Sequence, residues 1–475
     1  MEKRSILICP WGKFDNWEEV TYYYRDLETE KTRSTLKIMH EITKPDRTVI
    51  FVQDTLVTAL RESYQELCEV VMNETYKFIT DHKLIPQEMD LKNLLVKILP
   101  GVGNYSTWSR DNGEYFLGEF KGSMEPMSII VFQQLFDAFY SLFQEKNKEK
   151  NKLEINLDLT HGMNILPVMV YKIVGELSQL FAMVGEVSLK VYISEPFIRG
   201  NENIKLQIHE IENLKVEGFI PRFEFTKEIG NLNSKKLNAF VSSIHFGFPL
   251  LALYTFPKQK DLALIIKKEI LSFNSGIEIT SKKGKLKIKK NPPYKKVIAK
   301  HTREIHQELY KLLIVYAYAS LHSIDLPDVK NGVIIKKLRD LSKEIYSKEI
   351  YSNNTILNLI KNNTILNLIN SELSNLRYNI AENAFNKEKK LTLKVGWTPY
   401  THIIKKNSSD NIETRNFSAH IGLERNTIEI FIESLENHPD NPKKLKEWLE
   451  KSAKIRYRDA MIDKIYETAE SILDG

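Results

Sequence analysis

Short, continuously apolar runs alternate with amphipathic stretches over the first 220 residues. The runs are "SILICP" (5–10), "TVIFVQD" (48–54), "VKILPGVG" (96–103), "EINLDLTHG" (154–162), "VSLKVYISE" (187–195) and "KLQIHEI" (205–211). Each has strand length and is bounded by turn-forming residues. Segments near 18–42, 55–82, 127–147 and 164–183 read instead as helices. Apolar strands separated by amphipathic helices predict a parallel sheet covered on both faces, a doubly wound, Rossmann-like α/β domain. In such a sheet a ligand sits beyond the carboxyl ends of the strands, near the point where strand order reverses.

From about residue 230 helical patterns dominate, as in "LNAFVSSIHFGFPLLALYTF" and "EIHQELYKLLIVYAYASLHSI". The second half is therefore expected to be mainly α-helical. One exception is "GIEITSKKGKLKIKK" (276–290), which alternates apolar and polar residues on each side of a Lys-Gly turn and predicts a β-hairpin. Nine lysines and no acid lie between Lys282 and Lys300. Two readings of them stay open: a sheet edge kept solvated and unaggregated, or an arm that attracts phosphates. Lys282, Lys283, Lys285 and Lys287 are the candidate RNA contacts. "KEIYSKEIYS" (343–352) repeats with period five, and "NNTILNLI" occurs at 353–360 and again at 362–369. A nine-residue period is two and a half helical turns, so one continuous helix would turn the two copies to opposite faces. Two short capped pieces fit better, and the repeats read as a tolerated duplication without a site.

Length and composition narrow the classes. At 475 residues the chain is long enough for two or three domains, and 42% hydrophobic residues suffice for their cores. A net charge of +6 permits a nucleic-acid partner without requiring one. Two cysteines, Cys9 and Cys68, cannot build a disulfide framework or a cysteine-type zinc site. No secretion signal or membrane-spanning run is expected, which places the protein in the cytoplasm.

The strand-end loops carry the first candidate chemistry. Trp11 and Gly12 follow the first strand in "CPWG", and Trp108 lies in "GVGNYSTWSR" (101–110) after the third. Asp158, Thr160, His161, Gly162 and Asn164 follow the fourth in "DLTHGMN". Glycines for close backbone approach, aromatic rings, hydrogen-bonding side chains and a helix N-terminus together suit a nucleotide. The plainer alternatives are that His161 caps or packs a loop and that Trp11 and Trp108 belong to the core. A dinucleotide fingerprint is a poor fit, because Ser106 stands where the third glycine belongs. There is no phosphate loop of the Gly-Lys-Ser/Thr type and no cluster with metal-ligand spacing, so neither a metal nor a cofactor is expected.

The second candidate is "RNFSAH" (415–420). Arg415, Asn416 and His420 cluster in a helical region, with Gly422 two residues beyond. An arginine and a following histidine separated by four to six intervening residues arise by chance about once in such a chain. Arg33 and His40 form one such pair, without the asparagine and small residues of the second. Five helical steps set Arg415 and His420 about 140° apart, so they do not share one stripe. The residue types suit RNA scission without a metal. Histidine serves as general acid or base near neutral pH, arginine steadies charge on the phosphate oxygens, and Asn416 supplies hydrogen bonds.

"DLTHGMN" and "CPWG" resemble nucleotide-binding loops of the CARF domain, a CRISPR-associated Rossmann fold, and "RNFSAH" resembles the HEPN motif. Their order is that of the CARF–HEPN ancillary ribonucleases of type III CRISPR systems. The resemblance implies a CARF-like cyclic-nucleotide-sensing domain at 1–222. It implies a linker with helices and the basic hairpin at 223–300, and a helical HEPN ribonuclease domain at 301–475. It further implies a cyclic oligoadenylate activator, foremost cyclic tetra-adenylate, bound by Trp11, Gly12, Asp158, Thr160, His161, Gly162 and Asn164. Single-stranded RNA is the implied substrate, cut without metal by a homodimer or higher oligomer linked in function to a type III effector complex. Arg415, Asn416 and His420 take the catalytic positions. Two alternatives stay open: a ligand-controlled nucleic-acid-binding regulator without catalysis, and a sensor that degrades its own signal through Thr160 and His161.

Overall fold

The computed structural model describes residues 4–475 apart from 60, 87–88, 109–114, 123, 145–151, 163–164, 198–203, 276, 283–284, 291–298, 323, 347–364, 386–390, 408, 410, 437, 440 and 475. The chain packs as two compact units, Met1–Glu217 with Leu264–Leu313, and Gly218–Ala263 with Ile314–Gly475. The stretch 223–300, read as a linker, is thus divided between them.

The first unit runs β1 (Arg4–Pro10), β2 (Thr21–Tyr24), β3 (Leu27–Glu28), α1 (Leu36–Thr43), β4 (Arg47–Gln53), α2 (Tyr64–Asp81), β5 (Leu94–Leu99), β6 (Gly103–Trp108), β7 (Tyr115–Lys121), α3 (Glu125–Gln144), β8 (Lys152–Asp158), α4 (Ile165–Ala182), β9 (Glu186–Ser194) and β10 (Lys205–Val216). Eight strands form one sheet in the order β3-β2-β10-β9-β8-β1-β4-β5. β9, β8, β1, β4 and β5 are mutually parallel. Their apolar runs fill its centre: Ile6, Leu7 and Ile8 of β1 and Val49, Ile50, Phe51 and Val52 of β4 have no exposed surface. Each such side chain stabilises the fold by about 1.5–3 kcal/mol relative to leaving it in water. β8 lies on one flank of β1 and β4 on the other, so strand order reverses at β1 and opens a crevice above its carboxyl end.

Three departures refine the expected pattern. β10 runs antiparallel to β9, because the short stretch between them cannot hold the crossover that a parallel return requires. The segment 18–42 is helical only in α1; its first half, "TYYY", forms β2, as aromatic residues favour strands. The stretch 101–110 is not a free loop. β6 pairs with β7, and β7 pairs in parallel with the second strand of the lysine-rich hairpin, β11 (Ile277–Lys282) and β12 (Lys285–Lys290). Leu286 and Ile288 bury one face of this four-stranded sheet in the core of the first unit, leaving Lys285, Lys287 and Lys289 exposed on the other. α4 has the length and composition to cross a membrane, at a mean hydropathy of 1.4, contrary to the expectation that no segment would. Half of it is buried, against α3 and the sheet, so it packs as a core helix.

The second unit is mainly helical, with an antiparallel four-stranded sheet of Val333–Ile334, Lys454–Tyr457, Ile428–Ile432 and Gly396–Pro399 that the helical pattern did not foretell. The helices Ser234–Phe246 and Ile462–Asp474 pack together, and Ile365–Asn383 packs on Ile335–Ile345 and Pro442–Ser452. Within that group Glu450 accepts ion pairs from Arg377 at 2.5 Å and Arg339 at 2.8 Å, tying the three helices together. Most of the tandem repeats lie outside the described residues; Ile365–Ile369 of the second copy begins the helix Ile365–Asn383.

Candidate functional site

The crevice at β1 is closed by loops that hold one another. The Gly12 N–H donates to the His161 carbonyl at 2.8 Å, joining the loop after β1 to the loop after β8. Asp158, 2% exposed, accepts from the Thr35 hydroxyl at 2.5 Å and the Thr160 N–H at 3.0 Å. Burial raises its carboxyl above the ordinary value and these hydrogen bonds oppose the rise. The Thr160 hydroxyl accepts from the Ser194 N–H at 3.0 Å. His161 Nε2 accepts from the Thr35 N–H at the start of α1 (3.1 Å), and its ring stacks on Trp17 with centroids 4.0 Å apart. Burial lowers the His161 value to about 3, so the ring is neutral. A Cβ at Gly162 would stand 2.2 Å from Pro167 Cγ, which restricts that position to glycine.

These partners revise the expected ligand contacts. Trp11 is 1% exposed and packs among Phe14, Trp17 and Phe78, so its ring belongs to the core and offers no stacking face. Asp158, Thr160 and His161 set the shape of the crevice through bonds already made within it. With Nε2 committed and its basicity depressed, His161 is a poor acid or base for degrading a bound signal. Asn164 lies outside the described residues, and the Trp108 side chain is likewise not described.

In the second unit "RNFSAH" folds as the short helix Thr414–Ala419, with His420 as its C-cap. Phe417, wholly buried, anchors it edge-on to Phe248 at 5.1 Å. The helix stops because Ile421 and Gly422 both adopt positive φ, 48° and 77°. The Gly422 N–H reaches back to the Phe417 carbonyl at 2.8 Å, and the Ile421 N–H to that of Ser418 at 3.1 Å, a Schellman closure. A β-branched residue in this left-handed position costs about 1–2 kcal/mol. The two hydrogen bonds and the buried Phe417 outweigh that strain and hold the turn that presents His420.

His420 and Asn416 open onto a cavity of about 440 Å³, within the range of small-ligand sites, roughly 300–1,000 Å³. Its wall includes Glu372, Asn375, Leu376 and Asn379, one stripe of the helix Ile365–Asn383, together with Tyr400 and Arg425. His420 Nδ1 lies 3.2 Å from Glu372 Oε2, and Glu372 Oε1 accepts from Asn375 Nδ2 at 3.4 Å. Asn416 Nδ2 donates to Glu413 Oε2 at 2.6 Å. Glu424 also faces the cavity, with its carboxyl raised chiefly by burial and its oxygens taking N–H groups of Asn426. Arg415 is exposed and stands outside the cavity lining, as the five-step spacing on one helix requires. The decoy pair is inert: His40 is buried, bonded to the Thr48 hydroxyl and lowered to about 4 by burial, and Arg33 faces Glu19.

The sequence reading missed Glu372, Asn375, Asn379 and Arg425. A signal for the first three was present, as Glu372, Asn375 and Asn379 form a polar line beside the buried stripe Ile369, Leu373, Leu376 and Ile380. Of the candidate RNA-binding lysines, Lys285 and Lys287 are exposed; Lys283 lies outside the described residues and the Lys282 side chain is not described. Among the described residues, no group of three or more His, Cys, Asp or Glu side chains is placed to hold a metal ion.

An α/β domain whose sheet reverses strand order at β1 is joined to a unit that sets an imidazole on a polar cavity. Known families agree with that arrangement. Residues 6–196 match the family model described as CRISPR system endoribonuclease Csx1, CARF domain, and residues 362–436 match that of the Csx1 HEPN domain. Over 463 residues the chain is 28% identical to the CRISPR system endoribonuclease Csx1 of Methanocaldococcus jannaschii, covering 91% of this chain and 88% of that protein. The chain belongs to the CARF–HEPN family of CRISPR-associated ribonucleases.

Proposed function

We propose that the protein is a cyclic oligoadenylate-activated, metal-independent endoribonuclease that cuts single-stranded RNA. The observation that carries this reading is the placement of His420 and Asn416 on one polar cavity, with Arg415 on the same short helix. His420 takes the proton of a 2′-hydroxyl, the freed oxygen attacks phosphorus, and the bond to the 5′-oxygen breaks. The His420 imidazolium returns the proton to that oxygen as it leaves, and the products are a 2′,3′-cyclic phosphate and a 5′-hydroxyl. Arg415 balances charge on the phosphate oxygens, and Asn416 orients the group it touches. No electron transfer and no bound cation enters this scheme.

The activator, foremost cyclic tetra-adenylate, binds over the carboxyl ends of β1 and β8, where Gly12, Thr160, His161 and Gly162 shape the floor. Two copies share it across a two-fold axis. The exposed apolar stripe Ile165, Val168 and Tyr171 on α4, with Val168 at 67% exposure, supports such a pairing. The protein acts in the cytoplasm and receives its signal from a type III effector complex. Lys285 and Lys287, on the open face of their sheet, give RNA phosphates an attractive surface. That feature alone also favours a second reading, a nucleic-acid-binding regulator without catalysis. Labelled single-stranded RNA, incubated in EDTA with and without each cyclic oligoadenylate, separates the two. Ligand-dependent cutting lost in His420→Ala is expected; tight binding without cutting supports the regulator.

A further inference from the structure

We propose that Glu372 is the positioning residue for His420, so that the acid–base step runs through a carboxylate–imidazole pair. This rests on the reading of His420 as the acid–base group. An ionised carboxylate only accepts hydrogen bonds, so the ring nitrogen facing it, Nδ1 at 3.2 Å, carries the hydrogen. The lone pair then resides on Nε2, the nitrogen left for the 2′-hydroxyl proton. When Nε2 gains that proton, the imidazolium has a negative charge beside it, the role that a carboxylate plays behind other catalytic histidines.

The supports of the two partners differ in a way that makes one the holder of the other. His420 ends a six-residue helix, and its side chain is 53% exposed; nothing in its own turn fixes the ring. Glu372 is 23% exposed and sits on a 19-residue helix. That helix is clamped through Arg377 to Glu450, which also holds Arg339. Asn375, one turn on, donates a long hydrogen bond of 3.4 Å to the other oxygen of Glu372. The two further carboxylates near the motif are otherwise engaged, Glu424 with Asn426 and Glu413 with Asn416. If the contact were only a surface ion pair, its removal would leave turnover alone.

The test compares wild type, Glu372→Gln, Glu372→Asp, His420→Ala and the Glu372→Gln/His420→Ala pair in steady-state cleavage of labelled single-stranded RNA. Glu372→Gln is expected to lower kcat about 10–100-fold with KM nearly constant, the usual effect of losing an orienting partner. Glu372→Asp should recover part of the loss, and the double variant should be no slower than His420→Ala alone. Wild-type turnover in Glu372→Gln, or losses that multiply in the double variant, would overturn the proposal while leaving His420 as the acid–base group. Wild-type turnover in His420→Ala would overturn that prior reading instead, and the proposal with it. A readout independent of turnover is the ¹⁵N spectrum of the imidazoles, with the His420 signal assigned by its loss in His420→Ala. Hydrogen on Nδ1 in wild type, moving toward Nε2 in Glu372→Gln, is expected; hydrogen on Nε2 in the wild-type protein overturns the pair.

Discussion

His161 lies under Trp17 in the first unit with Nε2 taken by the Thr35 N–H, whereas His420 stands 53% exposed on the cavity of the second, held only through Nδ1. Both were candidates by residue type, and both follow a helix or strand end near a glycine. The surroundings part them. Taking an imidazole out of water favours its neutral form, and a backbone donor on its lone pair removes the site where a proton would land. His161 thereby becomes part of a loop scaffold. A carboxylate on one nitrogen and an exposed ring leave His420 open to the cavity, as the acid–base role proposed for it requires.

The contrast breaks most sharply at His420. His420→Ala is expected to cut RNA at least about a hundredfold more slowly, with its thermal midpoint unchanged because the ring makes no core contact. Wild-type cutting by this variant removes the contrast altogether. His161→Ala should show the opposite profile. Losing the acceptor leaves the Thr35 N–H without the His161 ring and Trp17 without its stacking partner, and the first unit should weaken by about 1–3 kcal/mol in urea unfolding. An unaltered urea midpoint would mean that His161 is not structural.

Acid sharpens the comparison next. His40 and His161 in the first unit, and His245 and His322 in the second, are lowered to about 4, 3, 4 and 4, in each case chiefly by burial. An unfolded histidine protonates near 6.5, so the unfolded chain takes up protons first as pH falls. Stability is whole above that value and drops between about 6.5 and the folded values, by about 1.4 kcal/mol per pH unit for each residue. Urea melts at pH 7 and pH 5 should show it, and flat midpoints would contradict the buried, neutral assignment. The smallest effect belongs to the lysines. Replacing Lys285 and Lys287 by Ala should change stability by no more than about 0.5 kcal/mol. The salt dependence of RNA binding should become shallower by up to about 2 in log–log slope. An unchanged slope would mean that the lysines only solubilise a sheet edge.

Much of the first unit was legible in its sequence. β1, β4, β8 and β9 fall on the continuous apolar runs, because strands buried on both faces need apolar residues at successive positions. α3 and α4 fall within two or three residues of their expected limits. "TYYY" was absorbed into a helix because local spacing alone does not separate a short edge strand from a helical first turn. The "GVGNYSTWSR" stretch was taken for a loop because the sheet it joins through the nearby β7 is completed by β12, more than 170 residues later. In the second unit the motif around His420 was readable as a pattern, while its cavity was not.

The sequence by itself determined the order of apolar runs, hence the parallel sheet with its switch point, and the run of residue types at 415–420. These depend on neighbours within a few positions, where chain geometry dictates which side chains share a face. Only the tertiary structure decided that His161 would be enclosed and neutral, that Trp11 would face the core, and that Glu372 would meet His420 across 48 residues of chain. Burial and long-range pairing arise from how helices and strands pack. Residue spacing carries no information about a partner that folding brings from another helix.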